Sequence, residues 1–150
     1  MAWAAAASAL ALRSLAAWAV ILSSALPAAS CSARAESLCT AANKKANALA
    51  EPSSLAGLGR TLASYLVIEE KLFGDIKALA VAPGEESAVA DMLAAQDKVI
   101  AKDKELQAAA QARNQASFDR LNDEETALVT AANARFDAYG LRNCGTLSLF

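Results

Sequence analysis

Four acidic residues lie on or beside the apolar faces of the helices that this chain predicts: Glu69, Glu70, Asp103 and Glu125. Carboxylates in such positions hold di-iron centres, but those centres also need two Glu-x-x-His motifs from facing helices. The chain has no histidine, so this motif cannot be completed and the commonest general base is missing as well. We therefore interpret the four as boundary residues paired with Lys or Arg, and we predict no metal site and no cofactor.

Other residues that could do chemistry lack the neighbours they need. No serine lies in a nucleophile elbow, no glycine-rich loop follows a strand, and no CxxC occurs. Asn43 and Asn133, each in an Ala-Ala-Asn, are interpreted as polar residues that bond the backbone near the ends of the helices. Five aromatic residues could line a small apolar pocket, although at helical spacing we interpret them as core: Tyr65, Phe73, Phe118, Phe136 and Tyr139. We predict no catalytic residue and a protein that is not an enzyme.

The three cysteines, Cys31, Cys39 and Cys144, leave one thiol over if the protein is exported. If Cys31 is acylated or removed with a leader, Cys39 and Cys144 remain as an even pair in an oxidising compartment. The alternative is a set of free buried thiols, which an alanine-rich core can accept. We predict a Cys39–Cys144 disulfide. If these two cysteines pair, no thiol remains for nucleophilic or thioredoxin-like work.

The N-terminal part of the chain predicts a secretory signal peptide over residues 1–30. The run LAAWAVILSSAL is uncharged over twelve residues, follows Arg13 and precedes Pro27 and small residues, which is the order of such a signal. A transmembrane anchor is the alternative, but Arg13 interrupts the apolar stretch, and twelve residues are short of the roughly 20 that span a bilayer. We therefore expect export.

Two cleavage points fit this leader. In LPAASC, small residues precede Cys31, which resembles a bacterial lipobox, where the cysteine is diacylated and becomes the new N-terminus. The usual lipobox has Leu three residues before the cysteine, where this chain has Ala28. The run ARA that ends at Ala35 satisfies the small-x-small rule of ordinary signal peptidase. Lipidation at Cys31, with cleavage before it, and cleavage after Ala35 both remain open.

From residue 36 onward the pattern is helical, interrupted by three breaks. Forty alanines and only 5% aromatic residues favour helix over strand. Apolar residues recur at three- and four-residue spacing in four segments, at about residues 36–50, 55–80, 85–113 and 115–139. Ser53 or Ser54 can cap the second helix and Asn114 the fourth, which Gly140 closes. One face of the first helix is expected to contain Leu38, Ala41, Ala42, Lys45 and Leu49.

Four amphipathic helices with short connections predict an all-α fold. The simplest packing is an antiparallel up-down four-helix bundle over residues 36–145, preceded by the N-terminal signal helix. In that topology the start of the first helix and the end of the fourth lie at the same end of the bundle. Cys39 and Cys144 occupy those two places, so their Cα atoms are expected roughly 4.4–6.8 Å apart, as a disulfide requires.

The charge of the predicted bundle excludes one class of partner. Sixteen acidic residues and twelve basic ones follow residue 35, so the net charge of this part is near −4. No Lys/Arg block forms a nucleic-acid footprint, and few aromatic residues are present to stack on bases. We predict no nucleic-acid partner.

Two stretches carry a resemblance to a known set of proteins: LCTAAN, which contains Cys39, and AANARFDAYGLRNCG, which ends at Gly145. With the leader and the alanine-rich middle, they resemble small uncharacterised exported helical proteins and candidate lipoproteins of high-GC Gram-positive bacteria. The resemblance covers most of residues 36–145 and rests on Cys39, Asn133, Gly140, Leu141, Cys144 and Gly145. It implies export, helices and the disulfide, and it implies nothing about mechanism.

These features lead to two hypotheses on function. The first is an envelope-associated helical bundle that acts as a binding or scaffold module, reaches the membrane surface through its N-terminus and contacts an unknown protein partner. The leader, the cysteines and the missing catalytic set motivate it. The second is a soluble extracytoplasmic carrier of a small apolar ligand held between the helices, motivated by the aromatic residues and the lean alanine-rich core. A lipid anchor in the cell membrane and free secretion both fit.

Overall fold

The chain forms four α-helices and a short 3-10 turn in the computed structural model, which describes residues 31–146. Helix α1 covers residues 31–46, and the other elements are α2 (Leu55–Lys77), α3 (Glu86–Gln111), α4 (Gln115–Tyr139) and the 3-10 turn (Cys144–Thr146). No strand occurs over these residues, so the predicted all-α class is confirmed. The predicted signal peptide, residues 1–30, lies outside the described residues.

Helices α2 and α4 begin at capping residues that the sequence predicts, and α4 also ends at one. The backbone N–H of Gly57 donates to Ser54 Oγ at 3.1 Å, so Ser54 is the residue that caps α2. Asn114 Oδ1 accepts from the N–H of Ser117 at 3.1 Å and caps α4. Gly140 follows α4 with a φ of 88°, the left-handed conformation that glycine adopts without a steric penalty.

Consecutive helices run antiparallel. Near the end of α2, Lys77 Nζ lies 2.6 Å from Oδ1 of Asp97, in the first half of α3. Near the start of α2, a Cβ added to Gly59 would lie 3.0 Å from the backbone nitrogen of Gln111, at the end of α3, so this close approach requires glycine. Helix α4 packs along α3 in turn. The predicted up-down four-helix bundle is confirmed.

Helix α1 closes the bundle through a face that agrees in part with the predicted one. Its buried residues are Ala35, Cys39, Ala42 and Ala46, and the predicted Leu38 and Leu49 also pack against the core. Ala41 and Lys45, which were expected on the same face, are exposed, and the helix ends at residue 46 instead of about 50. Cys39 is bonded to Cys144 with Cα atoms 4.9 Å apart, within the predicted range, which places Cys39 on the inner side of the helix.

The core consists of two apolar clusters with a polar layer between them. The larger cluster lies at the disulfide end and contains Phe73 and Phe136, whose ring centroids are 5.7 Å apart. The smaller cluster lies at the other end and contains Leu62, Leu106, Ala109, Ala110 and Leu121. Along α3 and α4, Asp103 and Glu125 occupy the turn between the two clusters, whereas on α2 Glu69 lies between Leu66 and Leu72, both of the larger cluster. The polar layer formed by these three carboxyls therefore separates the clusters on α3 and α4 and enters the larger cluster on α2.

Candidate functional site

Three carboxyl groups from three helices lie in the polar layer: Glu69 on α2, Asp103 on α3 and Glu125 on α4. Glu69 is fully buried, Asp103 is 4% exposed, and Glu125 is half-buried. The predicted pairing with Lys or Arg is therefore wrong for Glu69 and Asp103, and it is correct for Glu70, whose Oε1 lies 2.7 Å from Lys104 Nζ. Adjacent positions on a helix point about 100° apart, so α2 buries the first of its two glutamates and exposes the second.

The Glu69 carboxyl is neutral at neutral pH. Gln96 Nε2 donates to Glu69 Oε1 at 2.8 Å, while Oε2 is buried and receives no N–H hydrogen bond from the described residues. Burial, followed by the charge of Asp103, raises the pKa of Glu69 to about 9. A protonated Glu69 lies beside Asp103 and can act as an O–H donor toward that carboxylate.

The negative charge of the layer is shared by Asp103 and Glu125. Burial and the charge of Glu125 raise the pKa of Asp103 to about 7, and burial raises the pKa of Glu125. Tyr65 belongs to the same layer, and burial together with the charge of Glu69 raises the pKa of its phenol far above the ordinary value. The phenol therefore keeps its proton, and Asp103 is the carboxyl of the layer whose pKa is raised to near neutrality.

A cavity of about 300 Å³ lies beside this layer, between α2, α3 and α4. Its polar wall contains Asp103, Glu125, Tyr65 and Gln96. Its apolar wall contains Leu62, Val99, Leu106, Phe118 and Val129. Exposed side chains of α4 line its outer part, so the cavity reaches the protein surface at Asn122, Thr126 and Thr130.

The lysines and arginines around the cavity are engaged elsewhere. Lys102 Nζ lies 2.7 Å from Glu105 Oε2 and 2.9 Å from Glu124 Oε2, and Arg120 also pairs with Glu124. Every ion pair within residues 31–146 uses carboxylates other than Glu69, Asp103 and Glu125. In the described part of the chain the acidic layer is therefore without a counter-cation.

The predicted aromatic residues divide between core and cavity. Phe73 and Phe136 pack in the large cluster, as expected. Tyr65 is buried in the large cluster and Phe118 packs against the small one, as expected, and both also line the cavity, which is the alternative that the sequence left open. The hydroxyl of Tyr139 contacts the carboxylate of Glu85, at the start of α3.

The two asparagines also differ in their surroundings. Asn43 Nδ2 donates to the carbonyl oxygen of Asn143 at 2.8 Å and to Thr146 Oγ1 at 3.0 Å, so it bonds the backbone beside the disulfide, as predicted. The N–H of Asn143 in turn donates to Glu36 Oε2 at 3.1 Å. Asn133 also lies at the disulfide end, with its backbone beside Gly145, and it lines the cavity as well. The disulfide end is thus reinforced by side-chain bonds between α1 and the segment after α4.

Gln96 is the site residue that the sequence analysis missed. It lies one turn after Met92 and three residues before Val99, two buried residues of the apolar stripe of α3. A polar residue at such a position is a signal for a buried hydrogen bond, because an unpaired buried amide is costly. Gln96 and Glu69 are two inward polar residues on facing helices, one the donor and the other the acceptor of a buried hydrogen bond.

The described residues offer neither a metal centre nor a membrane span. Within residues 31–146, no three acidic or cysteine side chains are arranged as the ligands of one metal ion. No helix of this part combines the length and apolarity that crossing a bilayer requires. Comparison with protein-family models, with curated proteins and with solved structures finds no match.

Proposed function

We propose that this protein is an exported, envelope-associated binding module that holds a small molecule in the cavity between α2, α3 and α4. The observation that carries the proposal is the cavity itself, because its volume of about 300 Å³ falls at the lower end of the range for small-molecule sites. An engineered cavity of about 150 Å³ already binds benzene. The space here suits a ligand somewhat larger than a single ring.

The wall of the cavity has the mixed composition of a binding site. Apolar side chains cover one part, and a few polar groups from three different helices converge on the other. Such polar groups orient a ligand, while the apolar surface contributes most of its burial. This composition supports an amphipathic ligand over the purely apolar one of the second hypothesis.

The elements around the cavity support a preformed site. The caps at Ser54 and Asn114 hold the starts of α2 and α4, and the Cys39–Cys144 bridge joins α1 to the end of α4. Because these restraints act on the helices that form the wall, little conformational entropy is lost when a ligand enters. A rigid bundle is a suitable carrier.

We further propose that the module is attached to the outer face of the membrane through Cys31. This thiol is outside the disulfide, and α1 is already helical at residue 31, with Ala35 only 4% exposed. Cleavage after Ala35 would remove a turn that packs in the core, which favours cleavage before Cys31. Labelling with a palmitate analogue tests the anchor: label on the wild type that is lost in Cys31→Ser supports it, and label on neither rules it out.

The binding function is tested by a variant that fills the cavity. Thr126 lies at the outer part of its wall, whereas Ala127 is exposed on another face of α4. We expect the protein purified from its own host to show a bound small molecule by native mass spectrometry. Thr126→Trp should remove that added mass, and the control Ala127→Trp should retain it. A bare mass for the wild type, or an added mass that Thr126→Trp leaves in place, would contradict a ligand at this cavity.

A further inference from the structure

We propose that the ligand of the cavity is a small organic cation, an ammonium group on an apolar body, whose charged end is bound by Asp103 and Glu125. This inference rests on the proposed binding function and adds the chemical class of the ligand. It is drawn from the charge balance around the cavity, from the burial of Asp103 in its wall, and from the division of the wall into a charged and an apolar part.

Surface carboxylates of the bundle pair with lysines, whereas those that line the cavity do not. On the outer surface, Glu70 pairs with Lys104, and Glu124 pairs with Lys102 at 2.9 Å. Asp103 and Glu125 line the cavity, and neither has a lysine or arginine partner within residues 31–146. Buried charges in proteins are normally paired, because an unpaired one is costly. A bound cation would supply the missing partner.

Asp103 is 4% exposed and lines the cavity. A buried carboxylate normally accepts several hydrogen bonds. In the described part of the chain Asp103 has no lysine or arginine partner. Its neighbours in the layer include the neutral O–H groups of Glu69 and Tyr65, which can donate to a carboxylate without balancing its charge. A cationic donor that enters the cavity would supply the positive charge that these neutral groups lack.

The polar layer presents a negative charge to the cavity. The titratable groups facing the cavity or lying beside it are Tyr65 and Glu69 on α2, Asp103 on α3 and Glu125 on α4. Tyr65 and Glu69 stay protonated and neutral at neutral pH, so the charge comes from Asp103 and Glu125 alone. Among residues 31–146, no positive side chain lines the cavity. The site therefore attracts a cation and repels an anion.

The cavity suits an organic cation better than a metal ion. The three carboxyls are not arranged as the ligands of one metal, and much of the remaining wall is apolar. Hard metal ions are held by several converging oxygen ligands, and the described carboxyls do not converge in that way. An apolar body would fill the space beside Leu106 and Val129, and the rings of Tyr65 and Phe118 add surfaces that suit an ammonium group.

The test uses three probes with one apolar body and different charge: 2-phenylethylamine, 2-phenylethanol and phenylacetate. Each is titrated calorimetrically into the mature full-length protein at pH 8, where Asp103 is ionised. We expect the amine to bind roughly 10–100-fold more tightly than the alcohol, the range that a hydrogen bond to a charged group accounts for, and the acid to give no measurable binding. Equal or tighter binding of the alcohol or the acid would overturn the cation proposal while leaving the cavity as a binding site.

Neighbouring glutamates on α4 provide a matched pair of variants. Glu125→Gln should remove the advantage of the amine over the alcohol, whereas Glu124→Gln, which changes an exposed carboxylate outside the cavity, should keep it. Melting curves verify that both variants fold. Loss of the advantage in both variants, or in neither, would contradict the assigned contact.

Two further outcomes separate this inference from the binding function on which it rests. If none of the three probes binds to the wild type and the cavity-filling Thr126→Trp behaves identically, both proposals fail. If Ca²⁺ or Mg²⁺ raises the melting temperature and the amine does not, the site is a cation site of another kind and the organic cation is excluded. Binding of the amine that Thr126→Trp abolishes supports both proposals.

Discussion

Removal of the Cys39–Cys144 bridge by Cys144→Ser should cost this bundle a large part of its stability. The bonded residues are separated by 105 positions, and the chain-entropy model gives roughly 4–5 kcal/mol for closing a loop of about a hundred residues. The free energy of unfolding of a domain of this size is about 5–15 kcal/mol in total. Since about 1 kcal/mol shifts the melting temperature by several degrees, the variant should melt well over 10 °C below the parent.

The loss should begin at α1, because its inner face consists of Ala35, Cys39, Ala42 and Ala46, and alanine methyl groups bury little apolar area. The assay is thermal melting and amide hydrogen exchange of the mature protein in a Cys31→Ser background, which leaves no spare thiol. Amides of α1 should lose protection before those of α2, α3 and α4. Two free thiols in the unreduced parent would refute the bridge, and a melting shift of only a few degrees in Cys144→Ser would refute the loop-closure estimate.

Three other substitutions test the packing and the polar layer. Burial raises the pKa of Glu69 to about 9 from an ordinary 4.5, so the folded state retains a proton that the unfolded chain releases, and stability should fall as pH rises between these values. Glu69→Gln should remove up to about 1.4 kcal/mol per pH unit of that fall, as measured by urea unfolding at pH 5 and pH 8. Gly59→Ala should destabilise by about 1–3 kcal/mol, because the new Cβ would lie 3.0 Å from the backbone of Gln111. The control Gly74→Ala, where nothing lies within 4 Å, should stabilise by roughly 0.5–1 kcal/mol; equal effects would contradict the close approach of α2 and α3. Asn114→Ala should cost about 1 kcal/mol through the lost cap of α4, and unchanged chemical unfolding would refute that role.

The number of helices and most of their ends could be predicted from local sequence. Caps such as Ser54 and Asn114, and the left-handed Gly140, act within a few residues of their own position, so their effect does not depend on the rest of the fold. The disulfide could be predicted as well, because an even number of antiparallel helices brings both chain ends of the bundle together whatever the details of packing. These predictions follow from short-range physics and topology.

The inner face of α1 could not be predicted in the same way. In a helix so rich in alanine the apolar pattern is nearly uniform, and several rotations about the helix axis bury similar areas. The predicted Leu38, Ala42 and Leu49 do contact the core, but the rotation that brings Cys39 to Cys144 leaves Ala41 and Lys45 in solvent. A covalent restraint from the far end of the chain decided what propensity left undetermined.

For the candidate site, the sequence by itself determined which residues carry carboxyl groups and, through the helix period, which of them lie on or beside the apolar stripes. It could not determine whether Glu69, Asp103 and Glu125 would reach cations or one another, since that depends on the distance and rotation of three helices. Only the tertiary structure decided this, by bringing the three carboxyls together inside the apolar core and leaving about 300 Å³ between α2, α3 and α4. The physical reason is that charge pairing and cavity volume depend on contacts between residues far apart in the chain, which no local pattern encodes.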